Sequence, residues 1–301
     1  YGFYTQAFYS GDYSFVPDVY DGMKKYLHEV WEVDMQGFPV PRPGDWNWGD
    51  WGTDIDLEVL TTCWYYLALK AEKEFALYLH KQYDANRGDG MMKRISSTFD
   101  HRYWTGTAYR SKSHQGETDD RAQAMAVVSG LAPAGRHKAL LKVLKKEYHA
   151  SPYMEKYVLE ALFMMGEPDF ALERMRNRYT QMLAYPYTTL FEGWGIGAEG
   201  FGGGTINHAW SGGPLTILSQ KRCWIEPLEP GFKCFRVSPQ LGALHEASAV
   251  VPTLYGDIKV DIKKENHIMT IHVVVPQGTI AVVALPGRKD KVLPPGSYIL
   301  P

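Results

Sequence analysis

The sequence has 301 residues, enough for one large domain or two ordinary ones. Hydrophobic residues at 45% and charged residues at 22% are globular values, which excludes a disordered chain, a collagen and a coiled coil. With 32 Lys+Arg against 34 Asp+Glu there is no basic excess to neutralise phosphates, and no apolar run approaches the ~20 residues that span a bilayer; neither a nucleic-acid partner nor a membrane span is expected.

Helical patterning comes first. Pro17-Asp18 opens a stretch in which Val19, Met23, Tyr26, Leu27 and Val30 share one helical face. Asp54 is placed to cap a longer helix carrying Ile55, Val59, Cys63 and Leu67 toward Leu79. Asp119 precedes another that runs from Arg121 toward Leu131. Leu140, Leu141, Leu144 and Tyr148 mark the next. Ser151-Pro152 is a cap with a first-turn proline, and Gly166 is the matching stop. Glu167-Pro168-Asp169 starts a further helix, and a last one follows His208 toward Lys221. That makes about seven helices with some tight connections, so neighbours are expected to be antiparallel hairpins. Segments 35–53, 83–117 and 185–207 read as long loops rich in Gly and aromatics, where function concentrates.

From Cys223 the pattern changes. Ile258, Val260 and Ile262 alternate with Asp257, Lys259, Asp261 and Lys263, the period of a half-buried strand. Glu265-Asn266 turns the chain, 268–275 returns it, and 279–285 and 296–300 supply further strands, a small antiparallel sandwich. All nine Trp lie between Trp31 and Trp224, which agrees with a boundary here. The expected domains are 1–222, helical, and 223–301, a β-sandwich. Three cysteines, Cys63, Cys223 and Cys234, form no disulfide framework, and no Cys or His spacing suggests zinc, so no metal and no cofactor are expected. No signal peptide is visible at the start.

Chemistry has four candidate seats. The run Gly44-Asp45-Trp46-Asn47-Trp48-Gly49-Asp50-Trp51-Gly52 sets carboxylates among indoles, which suits a sugar: rings stack on Trp while hydroxyls donate to carboxylates. Its other reading is a loop whose Trp side chains cap the helical core. In Thr188-Thr189-Leu190-Phe191-Glu192-Gly193-Trp194-Gly195 one carboxylate stands among aromatics, the setting of a general acid or base, or of an exposed loop Glu; Glu199 competes with it. Asn207-His208-Ala209-Trp210 offers an imidazole beside an indole, as ligand-binding residue or as structural histidine. Trp104 and Glu117-Thr118-Asp119-Asp120-Arg121 complete the set, although Asp119 or Asp120 in a purely capping role, paired with Arg121, explains that run equally well. The triple glycine at 202–204 lacks a preceding strand and a following Lys-Ser/Thr, so it is no phosphate loop, and no Gly-x-Ser-x-Gly supports an esterase.

Several ordered stretches resemble one family. FDHRYWTGTAYRS at 99–111, TDDRAQAMAVVSGLAP from Thr118, SPYMEKYVLEALFMMGEP from Ser151, TTLFEGW from Thr188, NHAWSGGP from Asn207, EPLEPGFKCFRVSP from Glu226 and VVPTLYGDIKV from Val250 are similar to bacterial α-L-rhamnosidases. The resemblance spans nearly the whole chain. It implies a mostly α protein with a β domain: an (α/α)6 six-hairpin barrel followed by a small antiparallel β-sandwich. It implies an inverting hydrolase of terminal α-L-rhamnose acting on a rhamnosyl glycoside. Glu192 would be the general base. Asp45, Trp46, Trp48, Asp50, Trp51, Trp104, Trp194, His208 and Trp210 would bind the sugar.

The family's general acid belongs to an Asp-Glu-Arg-x-Gly-Trp motif early in the barrel, and this chain carries none. The helix count is also short of six hairpins. Both shortages imply the C-terminal part of a rhamnosidase, completed by the rest of a longer polypeptide or by a homodimer across the gap, and with little activity alone, since losing one general acid costs roughly 10²–10⁴ in rate. An acid rebuilt from Asp50, Glu58 or Asp119 is the exception to test. A periplasmic or secreted home is compatible with the resemblance and not fixed by it. Two other readings remain. One is a non-catalytic sugar binder that kept the aromatic pocket. The other is another (α/α)-barrel carbohydrate enzyme, such as an uronyl hydrolase or a polysaccharide lyase. Acidic substrates would ask for Arg or Lys in the 44–52 loop, which has none.

Overall fold

Three helical hairpins follow one another along the middle of the chain in the computed structural model, which describes residues 1–42, 44, 47–195, 204–266 and 268–301. After α1 (Gly2–Ser10) and α2 (Val16–Lys25) come α3 (Leu57–Tyr78), α4 (Gln82–Tyr103), α5 (Asp120–Ser129), α6 (His137–Lys146), α7 (Pro152–Met164), α8 (Pro168–Ala184) and the short α9 (Gly213–Ile217). α3 packs on α4 and α5, and α5 on α6 and α7, so α3, α5 and α7 form a row. Burial explains the row: nearly every residue of α5 is enclosed, and α3 and α7 bury long apolar faces. No helix among the described residues is long and apolar enough to cross a membrane.

Three helix expectations change. Asp54 does not cap α3; Asp56 does, its carboxylate accepting from Val59 N, while Asp54 lies upstream at φ +55°. The expected 83–117 loop is largely helix α4. Its sequence is polar and carries Gly88 and Gly90, which hid a buried stripe of Ala85, Met91, Met92, Ile95, Phe99 and Tyr103. The expected helix after His208 is broken into a 3-10 turn (Ala209–Gly212), α9 and a π turn (Leu218–Arg222). By contrast, Ser151 caps α7 as its sequence predicts, its hydroxyl oxygen accepting from Tyr153 N.

The C-terminal strands form two four-stranded sheets. The strands are β1 (Ile225–Pro227), β2 (Cys234–Val237), β3 (Glu246–Thr253), β4 (Gly256–Glu265), β5 (Ile268–Val275), β6 (Ile280–Val283), β7 (Lys291–Leu293) and β8 (Gly296–Leu300). The sheet orders are β1-β2-β6-β7 and β3-β4-β5-β8. The second is antiparallel throughout. The first departs from the expected pattern at one pair, because β2 and β6 run parallel, Phe235 opposite Ala281. The period-2 pattern works as read: Ile258, Val260 and Ile262 are buried with Ile271, Val273, Phe235 and Val283 in one apolar core.

The chain divides into two compact units that interleave in sequence. One is Tyr1 with Phe15–Met165 and Arg174–Gly213; the other is Gly2–Ser14 with Gly166–Glu173 and Pro214–Pro301. In the second, α1 packs on the 3-10 turn Pro230–Phe232, with Tyr9 edge-on to Phe232 at 5.8 Å. The three cysteines are free.

Candidate active site

Two short runs pair to hold Glu192. Glu192 N donates to Thr205 O at 2.8 Å, and His208 N to Leu190 O at 2.9 Å. The Thr189 hydroxyl donates to Ile206 O, and Ser211 Oγ to the carbonyl of buried Phe191. This ladder fixes the backbone at Glu192 although the segment is loop in sequence. Residues 196–203, between the two runs, lie outside the described residues, and with them the competitor Glu199.

The Glu192 carboxylate is anchored at one oxygen. Thr205 donates to Oε2 twice, from N at 2.9 Å and from Oγ1 at 3.2 Å. The Thr205 hydroxyl also meets His208 Nδ1 at 3.0 Å, and that nitrogen is 3.7 Å from the same Oε2. Donation by the Thr205 backbone N–H holds Glu192 below the usual glutamate range, with the Thr205 hydroxyl, the imidazole and Trp51 adding to it. Gly204 makes the approach feasible: a Cβ there would stand 3.1 Å from Glu192 Cβ and 3.2 Å from Oε2.

Aromatic side chains surround this carboxylate. Trp210 donates its indole N–H to Glu192 O at 3.0 Å and packs on His208, ring centroids 4.2 Å apart. Trp48 lies parallel to Trp210 at 6.3 Å, Trp51 is edge-on to Trp48 at 5.9 Å, and Tyr153 joins both Trp48 and Trp210. Four predicted residues, Trp48, Trp51, His208 and Trp210, therefore gather with Glu192. Tyr153 and Thr205 were not singled out in the sequence. Tyr153 reads there as an ordinary first-turn residue, and Thr205 follows a glycine run with no signal of its own.

Other predicted residues are placed elsewhere. Asp45 and Trp46 lie outside the described residues. Asp50 is turned inward and its side chain is wholly enclosed, so it is not available to a sugar hydroxyl. It accepts from Ser151 N at 2.9 Å and Ser151 Oγ at 2.5 Å, which makes it a second cap for α7, and Arg121 Nη1 approaches at 3.4 Å. Trp194 anchors its loop: its N–H donates to Ala150 O at 2.7 Å, and the Arg178 guanidinium sits 4.1 Å over the ring. Trp104 caps α4, with Tyr109 beside it and Arg136 over its face, and none of these contacts is with the Glu192 cluster.

The alternative acids are each engaged by other side chains or by backbone. Asp119 is the N-cap of α5, accepting from Arg121 N and Nε and from Asp56 N. Burial raises it to about 6, yet it is 1% exposed and both oxygens are taken, so no leaving group reaches it. Asp120 pairs with buried Arg174 at 2.7 Å. Glu58 accepts from Arg102, Tyr103 and Ser113 in a separate cleft of about 320 Å³, which Trp31, Asn47 and His114 also line. The capping reading of the Asp119-Asp120-Arg121 run is the one the geometry supports.

Antiparallel helical hairpins, a two-sheet β unit and a loop carboxylate ringed by indoles make up the architecture of a hairpin-built glycosidase domain. The family model described as bacterial alpha-L-rhamnosidase 6 hairpin glycosidase domain matches residues 4–221, and the one described as bacterial alpha-L-rhamnosidase C-terminal domain matches 225–298. The chain belongs to the bacterial α-L-rhamnosidase six-hairpin family. An alpha-L-rhamnosidase of Formosa agariphila is 24% identical over 311 aligned positions, covering 94% of this chain and 33% of the relative. The native rhamnosidase of Aspergillus terreus superposes with a TM-score of 0.83 at 18% identity, over 99% of this chain and 38% of the other. That of Streptomyces avermitilis, solved in complex with L-rhamnose, gives 0.80 at 18% identity, over 97% and 31%. The chain thus spans about a third of the length of the relatives it matches.

Proposed function

We propose that this chain is the Glu192-bearing part of an inverting α-L-rhamnosidase, with Glu192 as the general base that takes a proton from the attacking water. The single observation that carries this reading is a carboxylate held ionised by Thr205, partly open to solvent, beside the wall formed by Trp48, Trp51 and Trp210. A base must be deprotonated to act, and the low-lying Glu192 satisfies that. The aromatic wall suits the apolar face and C6 methyl of rhamnose, and His208 lies at the edge to meet a hydroxyl. Relatives named as α-L-rhamnosidases, one of them solved with L-rhamnose, support the substrate class.

An inverting glycosidase needs a second carboxyl ~6.5–9.5 Å from the first to protonate the leaving oxygen. Asp50, Asp119 and Glu58 are committed to Ser151, Arg121 and Arg102 and do not fill that role. The acid is therefore assigned to a residue other than these three. The test is hydrolysis of an aryl α-L-rhamnoside by the native polypeptide carrying this chain. Glu192→Gln should lower kcat by roughly 10²–10⁴ with KM little changed. Wild-type rates in that variant would reject Glu192. Rhamnose binding without turnover by the native polypeptide would favour the sugar-binding reading instead.

A further inference from the structure

Asp54, Glu117 and His149 are scattered in sequence but equivalent in the fold. Each stands two residues ahead of a helix N-cap: Asp56 for α3, Asp119 for α5 and Ser151 for α7. Because α3 packs on α5 and α5 on α7, the three entry turns meet. One ligand-capable atom from each lies within 4.8 Å of the other two. His149 Nε2 is 3.4 Å from Glu117 Oε2, and Nδ1 is 4.0 Å from Asp54 Oδ2. Glu147 adds a third carboxylate 3.5 Å from Nε2. The two acidic turns are already tied, since Glu117 N donates to Asp54 Oδ1 at 2.7 Å.

A second observation points to a ligand. His149 Nε2 is buried and makes no hydrogen bond, although the Glu117 and Glu147 oxygens face it at ion-pair distances of 3.4 and 3.5 Å. A buried imidazole nitrogen left this way is costly and calls for an explanation. The spacing between Nε2 and Glu117 Oε2 supplies one, and Asp54 lies within 4.8 Å of closing on the same ion. Two ligands on a tetrahedral zinc ion, each at ~2.0–2.2 Å, are about 3.4 Å apart. Calcium and magnesium prefer all-oxygen sites, so the imidazole argues for a first-row transition metal. We propose that Asp54, Glu117 and His149 form a zinc site that staples the entry turns of α3, α5 and α7. Glu117, whose side chain is 72% exposed, has the freedom to close on the ion. Glu147, already paired with Lys146 at 2.6 Å, stays outside the ligand set. The two ligand carboxylates of Asp54 and Glu117 carry two negative charges, which a divalent cation neutralises. The site shares no residue with the Glu192 cluster, so it stands whatever Glu192 does.

The experiment is a calorimetric titration of chelator-stripped 301-residue chain with zinc chloride, paired with thermal unfolding at each metal ratio. One saturable equivalent with micromolar or tighter Kd, and a Tm that rises with zinc, is expected. His149→Ala should abolish that equivalent. Glu117→Gln should weaken it at least tenfold, and as a change on an exposed side chain it leaves folding intact if His149→Ala does not. The chain has ten His, and loss of the equivalent in His149→Ala separates this site from adventitious zinc on the others. Absence of a saturable equivalent, or wild-type affinity in both variants, overturns the site.

Discussion

Thr205 shows how a single residue sets the working range of Glu192. Its N–H and hydroxyl both end on Oε2, and its hydroxyl also reaches His208. Hydrogen bonds to the ionised form lower a carboxyl pKa, so Glu192 stays deprotonated to lower pH than an ordinary glutamate. With Glu192 as the proposed base, the acidic limb of the kcat/KM profile should therefore lie below the usual glutamate value. Thr205→Val removes the hydroxyl bond and keeps the N–H. The limb should then move to higher pH while the plateau changes little. A pH–rate profile checks this; a limb that stays put, or a uniform loss at all pH, would remove Thr205 from the role. The aromatic neighbours of Glu192 are legible in its own run, 188–195. Thr205 is not, because its role arises from a ladder between 189–192 and 205–208 that no local pattern encodes.

At the scale of elements, acidic residues at helix entries organise the hairpins. Asp56 and Asp119 cap α3 and α5, Asp50 reinforces the cap of α7, and Arg121 links Asp50 to Asp119. Below them Arg174, fully buried, bonds Asp120, Glu155 and the carbonyls of Leu144 and Glu147. Removing one member of such a network leaves a buried charge unpaired. Arg174→Leu should cost about 3–5 kcal/mol. Arg178→Leu should cost clearly less, because Glu155 keeps Arg174. Urea unfolding of both variants checks the order; equal losses would refute it. The same chemistry separates what is legible in the sequence from what is not. Ser151-Pro152 and Asp119 announce their helices because caps are local. Asp50 looked like a sugar ligand because its partner, Ser151, is a hundred residues away. Helix α4 is masked in the sequence because its buried stripe is interrupted by Gly88 and surrounded by polar residues.

The whole molecule consists of two cores whose membership does not follow chain order. The strand alternation at 257–263 exposed the β core in the sequence, but nothing in Gly2–Ser10 indicates that this helix joins it. The link is tight. Gly231, at φ +66°, leaves no room for a side chain: a Cβ would stand 3.1 Å from Gly11 Cα and 3.5 Å from Ser10 O. Each unit has its own buried apolar cluster, so each should melt with its own transition. Ile258→Ala, in the β core, and Leu162→Ala, on α7, both truncate fully buried side chains and should each cost about 2–5 kcal/mol. Each should shift only one calorimetric transition. Gly231→Ala combines an unfavourable φ with a backbone clash, and should shift the Ile258 transition, although the residues it disturbs, Ser10 and Gly11, lie at the opposite end of the sequence from the strands. A single transition moved by all three variants would show one cooperative core. A Gly231→Ala shift in the Leu162 transition would place the first helix with the hairpins instead.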